Sequence, residues 1–267
     1  MMCLLMNNLP TEILICCPSR GRAKTCITHK VLPSVKYFVG ADEYDQYVAE
    51  LGAERVVNVG EGIQMPPNGK CRCLNWILDN YKRPDNVILF TDDDILKIVR
   101  IDFTKPKTII PCPEQDIVSI LKKMSVIARG MGAKIGGFAA LSACSDFLLM
   151  GLNQQYRLIQ TGYIDGKAFI IFDDDGTRYD ENLWLKEDID FNCQSLKKNK
   201  CTLSAKFICF QGKALTNKGG VCDSRTNELE MEQGRMMIEK HGNMLKLNVS
   251  NVGNGVRKNA VQFGLNV

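Results

Sequence analysis

At 267 residues the chain is long enough to bury a full-sized core, and 45% hydrophobic with 24% charged residues excludes a disordered or fibrous protein. The formal net charge of +4 permits a polyanionic partner without requiring one. No apolar stretch nears the ~20 residues of a membrane helix, and the start lacks the basic run of a secretory leader, so a soluble cytoplasmic chain with no membrane partner is expected.

The 12 cysteines include no C-x-x-C pair, and the two histidines, His29 and His241, lie far from any cysteine cluster. Structural zinc takes closely spaced ligand pairs, so free thiols in a reducing compartment are the expectation.

In chain order, Glu12 to Cys17 is an unbroken apolar run ended by the turn Pro18-Ser19-Arg20-Gly21. Further runs follow at Lys36 to Gly40, Arg55 to Val59 and Asn86 to Thr91. Unbroken rather than alternating strands signal burial on both faces, as in a mostly parallel sheet. Between them Tyr44 to Leu51 and Lys70 to Tyr81 read as helices, giving an open α/β sheet. Asp116 to Arg129 has helical spacing, Lys134 to Leu141 and Ala168 to Phe172 read as strands, Leu185 to Lys198 as a polar helix and Thr202 to Phe210 as a strand. The tail after Gly212 is polar, with a loop at Asn251 to Gly255. A single domain is expected, with a nucleotide-side half over about 12–100 and an acceptor-side half over about 101–267.

Four segments carry chemistry. Asp92-Asp93-Asp94 ends the fourth apolar run, and ligands of open α/β sheets bind at such strand ends. Three adjacent carboxylates repel one another unless a hard cation such as Mg²⁺ or Mn²⁺ neutralises them. A second triplet, Asp173-Asp174-Asp175, runs into Gly176-Thr177-Arg178 and ranks as a turn. Ser19, Arg20 and Arg22 follow the first strand, where backbone N–H groups and guanidinium forks suit phosphate. Lys70 and Arg72, at a helix start after the Gly60-Glu61-Gly62 turn, put cations where a diphosphate would lie opposite a metal. Glu187 and Asp188 open a helix, where a carboxylate can serve as general base for a hydroxyl.

In this order the segments Pro-Ser-Arg-Gly-Arg, Asn-Trp-Ile-Leu, Leu-Phe-Thr-Asp-Asp-Asp and Glu-Asp-Ile-Asp-Phe resemble GT-A glycosyltransferases. More narrowly, they resemble the bacteriophage-type TET-associated enzymes that sugar-modify hydroxymethylated pyrimidines in DNA. The resemblance covers about residues 12–200. It implies a GT-A-like (Rossmann-like) mixed, mostly parallel sheet flanked by helices, a UDP-sugar donor, Mn²⁺ or Mg²⁺, and a 5-hydroxymethylcytosine acceptor in phage DNA within the host cytoplasm. Carried over by position, Asp92 and Asp94 hold metal and nucleotide with Asp93 between them. Asp188 is the base with Glu187 beside it, and Pro18, Ser19 and Arg20 line the nucleotide pocket. Where the family often has Arg directly before the helix Asn, this chain has Leu74, leaving Arg72 or Lys70 for the diphosphate. A late histidine completes the metal shell in many such enzymes, and His241 is the candidate by position. Basic residues predominate from about Lys197 to Lys258, starting with Lys197, Lys198 and Lys200, and suggest a face that tracks DNA phosphates. Three rivals use similar residues: transfer to protein or carbohydrate, a sugar-phosphate nucleotidyltransferase, and a non-catalytic nucleotide-binding module.

Overall fold

The computed structural model describes residues 9–66, 68–105, 108–141, 158–159, 164–212, 226–247 and 261–263. The first apolar runs fold as β1 (Glu12–Pro18), β2 (Lys36–Val39), β3 (Val56–Asn58) and β4 (Asn86–Thr91), paired parallel in the order β3-β2-β1-β4. Neighbouring residues of a strand point to opposite faces, and here each face has its own cluster. Ile15, Cys17, Tyr37, Val39, Val87 and Leu89 pack on one side, while Cys16, Phe38, Ile88 and Phe90 pack on the other. That is why these strands carry no polar alternation.

Helix α1 (Tyr44–Leu51) covers the first face through Tyr47 and Leu51. Helix α2 (Gly69–Tyr81) covers the second through Cys71, Cys73, Leu74, Ile77 and Leu78. Helix α3 (Glu114–Met131) adds Ile117, Leu121 and Met124 to the first face. It carries Glu114 and Asp116 in its first turn and Arg129 in its last, the arrangement its dipole favours. Gly132, at φ 78°, closes it by donating its N–H to the last turn.

The remaining elements are β5 (Ile95–Ile101), β6 (Ile109–Pro111), β7 (Ile135–Leu141), β8 (Leu158–Ile159), β9 (Ala168–Ile171), α4 (Glu187–Asn199), β10 (Leu203–Gly212), α5 (Asn227–His241), β11 (Leu245–Leu247) and β12 (Val261–Phe263). One 10-stranded mixed sheet results, ordered β3-β2-β1-β4-β9-β7-β10-β5-β6 with β8 on β10, while β11 and β12 pair separately. Pairing is parallel again at β7–β10 and antiparallel at the other pairs beyond β4. Because β9 runs against β4, its first residue, Ala168, stands beside Thr91. The segment before β9 therefore reaches the same sheet edge as the acids that follow β4.

Helix α5 lies where only a polar tail is expected from the sequence. Its buried face is Glu230, Gln233, Gly234, Met237 and His241, a helical stripe that is mostly polar. Strand β5, starting directly after Asp94, is a further element not anticipated. The expected loop at 251–255 lies outside the described residues, as does part of the basic tail.

Candidate active site

Turns after β1, β2 and β3 gather at one edge. Ser19 is buried, and its hydroxyl donates to Asp93 Oδ2 at 2.5 Å while sharing a 2.8 Å hydrogen bond with the Tyr47 hydroxyl. Arg22 Nη1 lies 2.8 Å from Asp93 Oδ1. Arg20 pairs with Asp42 at 2.7 Å. Arg72 donates from Nε to the Ile63 carbonyl at 3.1 Å and from Nη2 to the Met65 carbonyl, bracing the Gly-rich turn. Gln64 is buried and ties this turn to the β2 end, accepting from Gly40 N at 3.1 Å and donating to the Phe38 carbonyl at 2.7 Å. Pro18, Ser19, Arg20 and Arg22 thus lie together, with Arg22 and Ser19 turned toward Asp93.

The Asp triplet is held by its backbone. Thr28 Oγ1 donates to the Asp92 carbonyl at 2.7 Å and accepts from Ile95 N at 3.0 Å. Ile27 N donates to the Asp93 carbonyl at 2.9 Å. With the main chain fixed, the three side chains diverge in environment: Asp92 is 32% exposed, whereas Asp93 and Asp94 are buried. Burial holds Asp93 above the usual carboxylate range against the opposing charge of Arg22. Burial first, then Asp92 and Asp93, pushes Asp94 up to about 6. Asp93 is the inward anchor, and Asp92 and Asp94 flank it.

Lys70 joins this edge to α4. Its Nζ lies 2.8 Å from Glu187 Oε1 and 3.9 Å from Asp92 Oδ1. Burial opposes its charge most strongly, but Glu187 and Asp92 together outweigh it and hold the amine well above its ordinary range. Asp188 is fixed from two directions: Ile189 N donates to Oδ1 at 2.8 Å and Gly166 N to Oδ2 at 3.3 Å. The turn Asp165-Gly166-Lys167, which sequence reasoning passed over, is thus part of the site. Its signal is a Gly between two charged residues at a strand start, meaningful only once β9 is known to run antiparallel.

His241 has a different neighbour from the one expected. Its Nε2 lies 2.7 Å from Asp190 Oδ1, both side chains are buried, and Lys240 Nζ joins the same carboxylate at 2.8 Å. This cluster ties α5 to α4, together with the buried pair Lys186–Glu230. Lys186, at φ 70°, adopts a left-handed backbone just before Glu187. Among the described residues no three His, Cys, Asp or Glu side chains are gathered as a metal cage. Asp92 and Asp94 nonetheless fit a divalent cation: both offer hard oxygens, and beside burial, which raises Asp94 most, the crowding by Asp92 and Asp93 is what a cation would relieve. His241 is engaged by Asp190 through Nε2 alone, and its Nδ1 is buried without a hydrogen-bond partner among the described residues.

The second triplet sits at the opposite sheet edge, after the last residue of β9. Gly176 N donates to Asp174 Oδ1 and Thr177 N to Asp175 Oδ1, each at 2.9 Å, while Arg178 takes Asp174 and Lys134 takes Asp173. The basic run is there too: Lys198 pairs with Asp175, Lys197 donates to the Lys240 carbonyl and Lys200 to the Lys197 carbonyl. Helix α4 has 13 residues, which at ~1.5 Å each keeps this run well away from Asp188. The described cysteines are free, and burial pushes Cys26 and Cys73 up to about 12, leaving them inert.

No family model and no curated protein matches the chain. Among solved structures, the mannosyltransferase PcManGT from Pyrobaculum calidifontis, in complex with GDP-Man and Mn²⁺, matches at 12% identity and a TM-score of 0.52. That match covers 86% of this chain and 64% of that one, so the chain spans less than two thirds of that protein's length. TarS 1–349 from S. aureus matches at 11% identity over 90% of this chain and 77% of that one, with a TM-score of 0.46, too distant to add weight. The likeness is one of fold alone: a mixed sheet flanked by helices.

Proposed function

We propose that the chain is a metal-dependent glycosyltransferase that moves a sugar from a nucleotide donor, a UDP-sugar, to a hydroxyl acceptor. One observation carries this reading: Lys70 reaches both Asp92 and Glu187, so the strand-end aspartates and the helix-start acids share one site. The turns after β1 to β3 take the nucleotide, with Pro18, Ser19 and Arg20 along its pocket. Asp92 and Asp94 hold Mn²⁺ or Mg²⁺ beside the donor diphosphate. Once bound, the cation neutralises the charge that develops on the leaving diphosphate.

Asp188 accepts the proton of the acceptor hydroxyl. The hydroxyl oxygen bonds to the sugar C1, the bond from C1 to the phosphate oxygen breaks, and its electron pair leaves with the nucleoside diphosphate. Glu187, neutralised by Lys70, orients the acceptor beside this base. A base acting opposite the leaving group inverts C1.

The acceptor proposed is the hydroxymethyl group of 5-hydroxymethylcytosine in phage DNA, supported by the motif resemblance. The run Lys197–Lys200 lends it no support, because it lies at the far end of α4 from Asp188 and its amines are spent on carbonyls and Asp175. Incubation of the protein with Mn²⁺, a panel of nucleotide sugars and hydroxymethylated DNA should add a hexose to the base, read by mass spectrometry. Transfer only to carbohydrate or protein would replace the acceptor. Absence of both transfer and donor hydrolysis with every nucleotide sugar would overturn the reading.

A further inference from the structure

Among the described residues, Lys167 is a cation at the site edge to which no role has yet been given. Lys167 belongs to the turn that leads into β9, and Ala168 pairs with Thr91, so the turn stands level with the acids after β4. Its backbone is pinned at two points: Lys167 N donates to Asp165 Oδ1 at 2.9 Å, and Gly166 N donates to Asp188 at 3.3 Å. A β-carbon on Gly166 would lie 3.4 Å from that of Asp188, so the turn packs directly on the base.

The side chain of Lys167 runs toward Asp94. A β-carbon on Gly212, at the end of β10, would sit 3.0 Å from Asp94 Oδ1 and 3.5 Å from both Cδ and Cε of Lys167. The ammonium stem and the carboxylate therefore flank one point, and Gly212 keeps that point open by having no side chain. The charge of Lys167 is felt there: it counts among the influences that offset the upward push burial gives Asp94. Lys70, by contrast, is shared between Glu187 and Asp92. A Lys stem passing this close to Asp94 brings its ammonium within reach of an anionic oxygen that is itself bound to a cation there. A Lys amine serves such an oxygen as a compact point charge.

We infer that Lys167 is a further donor-binding residue, its ammonium taking a non-bridging oxygen of the nucleoside diphosphate in the slot that Gly212 leaves beside Asp94. The inference rests on the glycosyltransferase reading and deepens it. The chain holds the leaving group from two sides, through Asp94 and its cation and through Lys167. Lys167 meets the electron pair that moves onto the diphosphate as the C1–oxygen bond breaks.

The test is calorimetry of the full chain with Mn²⁺ and UDP or GDP, with Mn²⁺ affinity read separately by electron paramagnetic resonance. Lys167→Met should weaken the nucleoside diphosphate by about 10- to 100-fold, the size of a charged hydrogen bond, with no matching loss in the binding of Mn²⁺ alone. Lys167→Arg should restore most of the loss, and Gly212→Ala, whose β-carbon would crowd Asp94 Oδ1 at 3.0 Å, should weaken the diphosphate. Equal UDP affinity in the parent and a folded Lys167→Met overturns the role of Lys167 and leaves the glycosyltransferase reading standing. Were Lys167→Met to unfold, parental affinity in Gly212→Ala would overturn it equally. A parent chain that binds neither UDP nor GDP with Mn²⁺ removes both.

Discussion

The two aspartate triplets are alike in sequence and opposite in structure. Each follows a fully buried apolar strand, β4 before Asp92–Asp94 and β9 before Asp173–Asp175. Because β9 runs antiparallel to β4, the triplets stand at opposite edges of one sheet. Asp93 and Asp94 are buried and raised, whereas Asp174 is held low by its hydrogen bonds to Arg178. Asp175 is also low: burial pushes it up, but Asn199, Thr177 and Lys198 outweigh that. In one triplet burial and two acidic neighbours raise Asp94, and the other has spent its carboxylates on closing a turn. Strand direction, which composition does not encode, separates a binding edge from a structural one.

The largest expected effect falls on the first triplet. Asp94→Asn should abolish detectable Mn²⁺-dependent UDP binding and sugar transfer while leaving Tm near the parental value, since the cation supplies several kcal/mol in such reactions. Unchanged Mn²⁺ and UDP affinity by calorimetry would dismantle the contrast between the triplets.

Asp188→Asn should lower kcat by about 10²- to 10⁴-fold with near-parental donor affinity, because a general base acts mainly in the transition state. If it transferred sugar at the parental rate, the base would have to be sought at Asp190, which His241 and Lys240 already occupy.

Proton linkage sharpens the comparison further. Folded Asp94 keeps its proton to about 6, above its ordinary value of 3.8. It therefore favours the folded state at low pH and loses that contribution as pH rises through about 6. Mn²⁺ competes with the same proton, so its affinity should fall about tenfold per pH unit below that point. A flat Mn²⁺ affinity between pH 7 and about 5 would contradict the assignment.

Asp174 runs the other way: its contribution is present at neutral pH and is lost as pH falls through its lowered folded value. Asp174→Asn should cost only about 0.2–1 kcal/mol, as half-exposed pairs do, with transfer unchanged. The Tm difference from the parent should vanish in strong acid.

Much of the fold is legible in the sequence. The runs that became β1 to β4 carry apolar residues at consecutive positions, and burial on both faces is the one arrangement that tolerates this. Helix α3 was marked by Ile117, Leu121 and Met124 at helical spacing. Helix α5 escaped because its buried stripe is Glu230, Gln233, Gly234 and His241 with only Met237 apolar, and hydrophobic periodicity cannot see a polar interface. Lys167 escaped for a different reason: its place depends on pairing between strands remote in sequence. Arg72 and Ser19 were noticed by residue type, but only geometry reveals that one braces a turn and the other anchors Asp93.

The polar seam between α4 and α5 has a consequence for how the two helices dock. A greasy helix face can slip by a turn and stay covered. A seam of Lys186 with Glu230 and of Asp190 with Lys240 and His241 cannot, because each slip buries a charge without its counterpart. The docking therefore has one register and no graded approach to it. Until α5 has formed, the helix that carries Asp188 holds Lys186 and Asp190 without these partners.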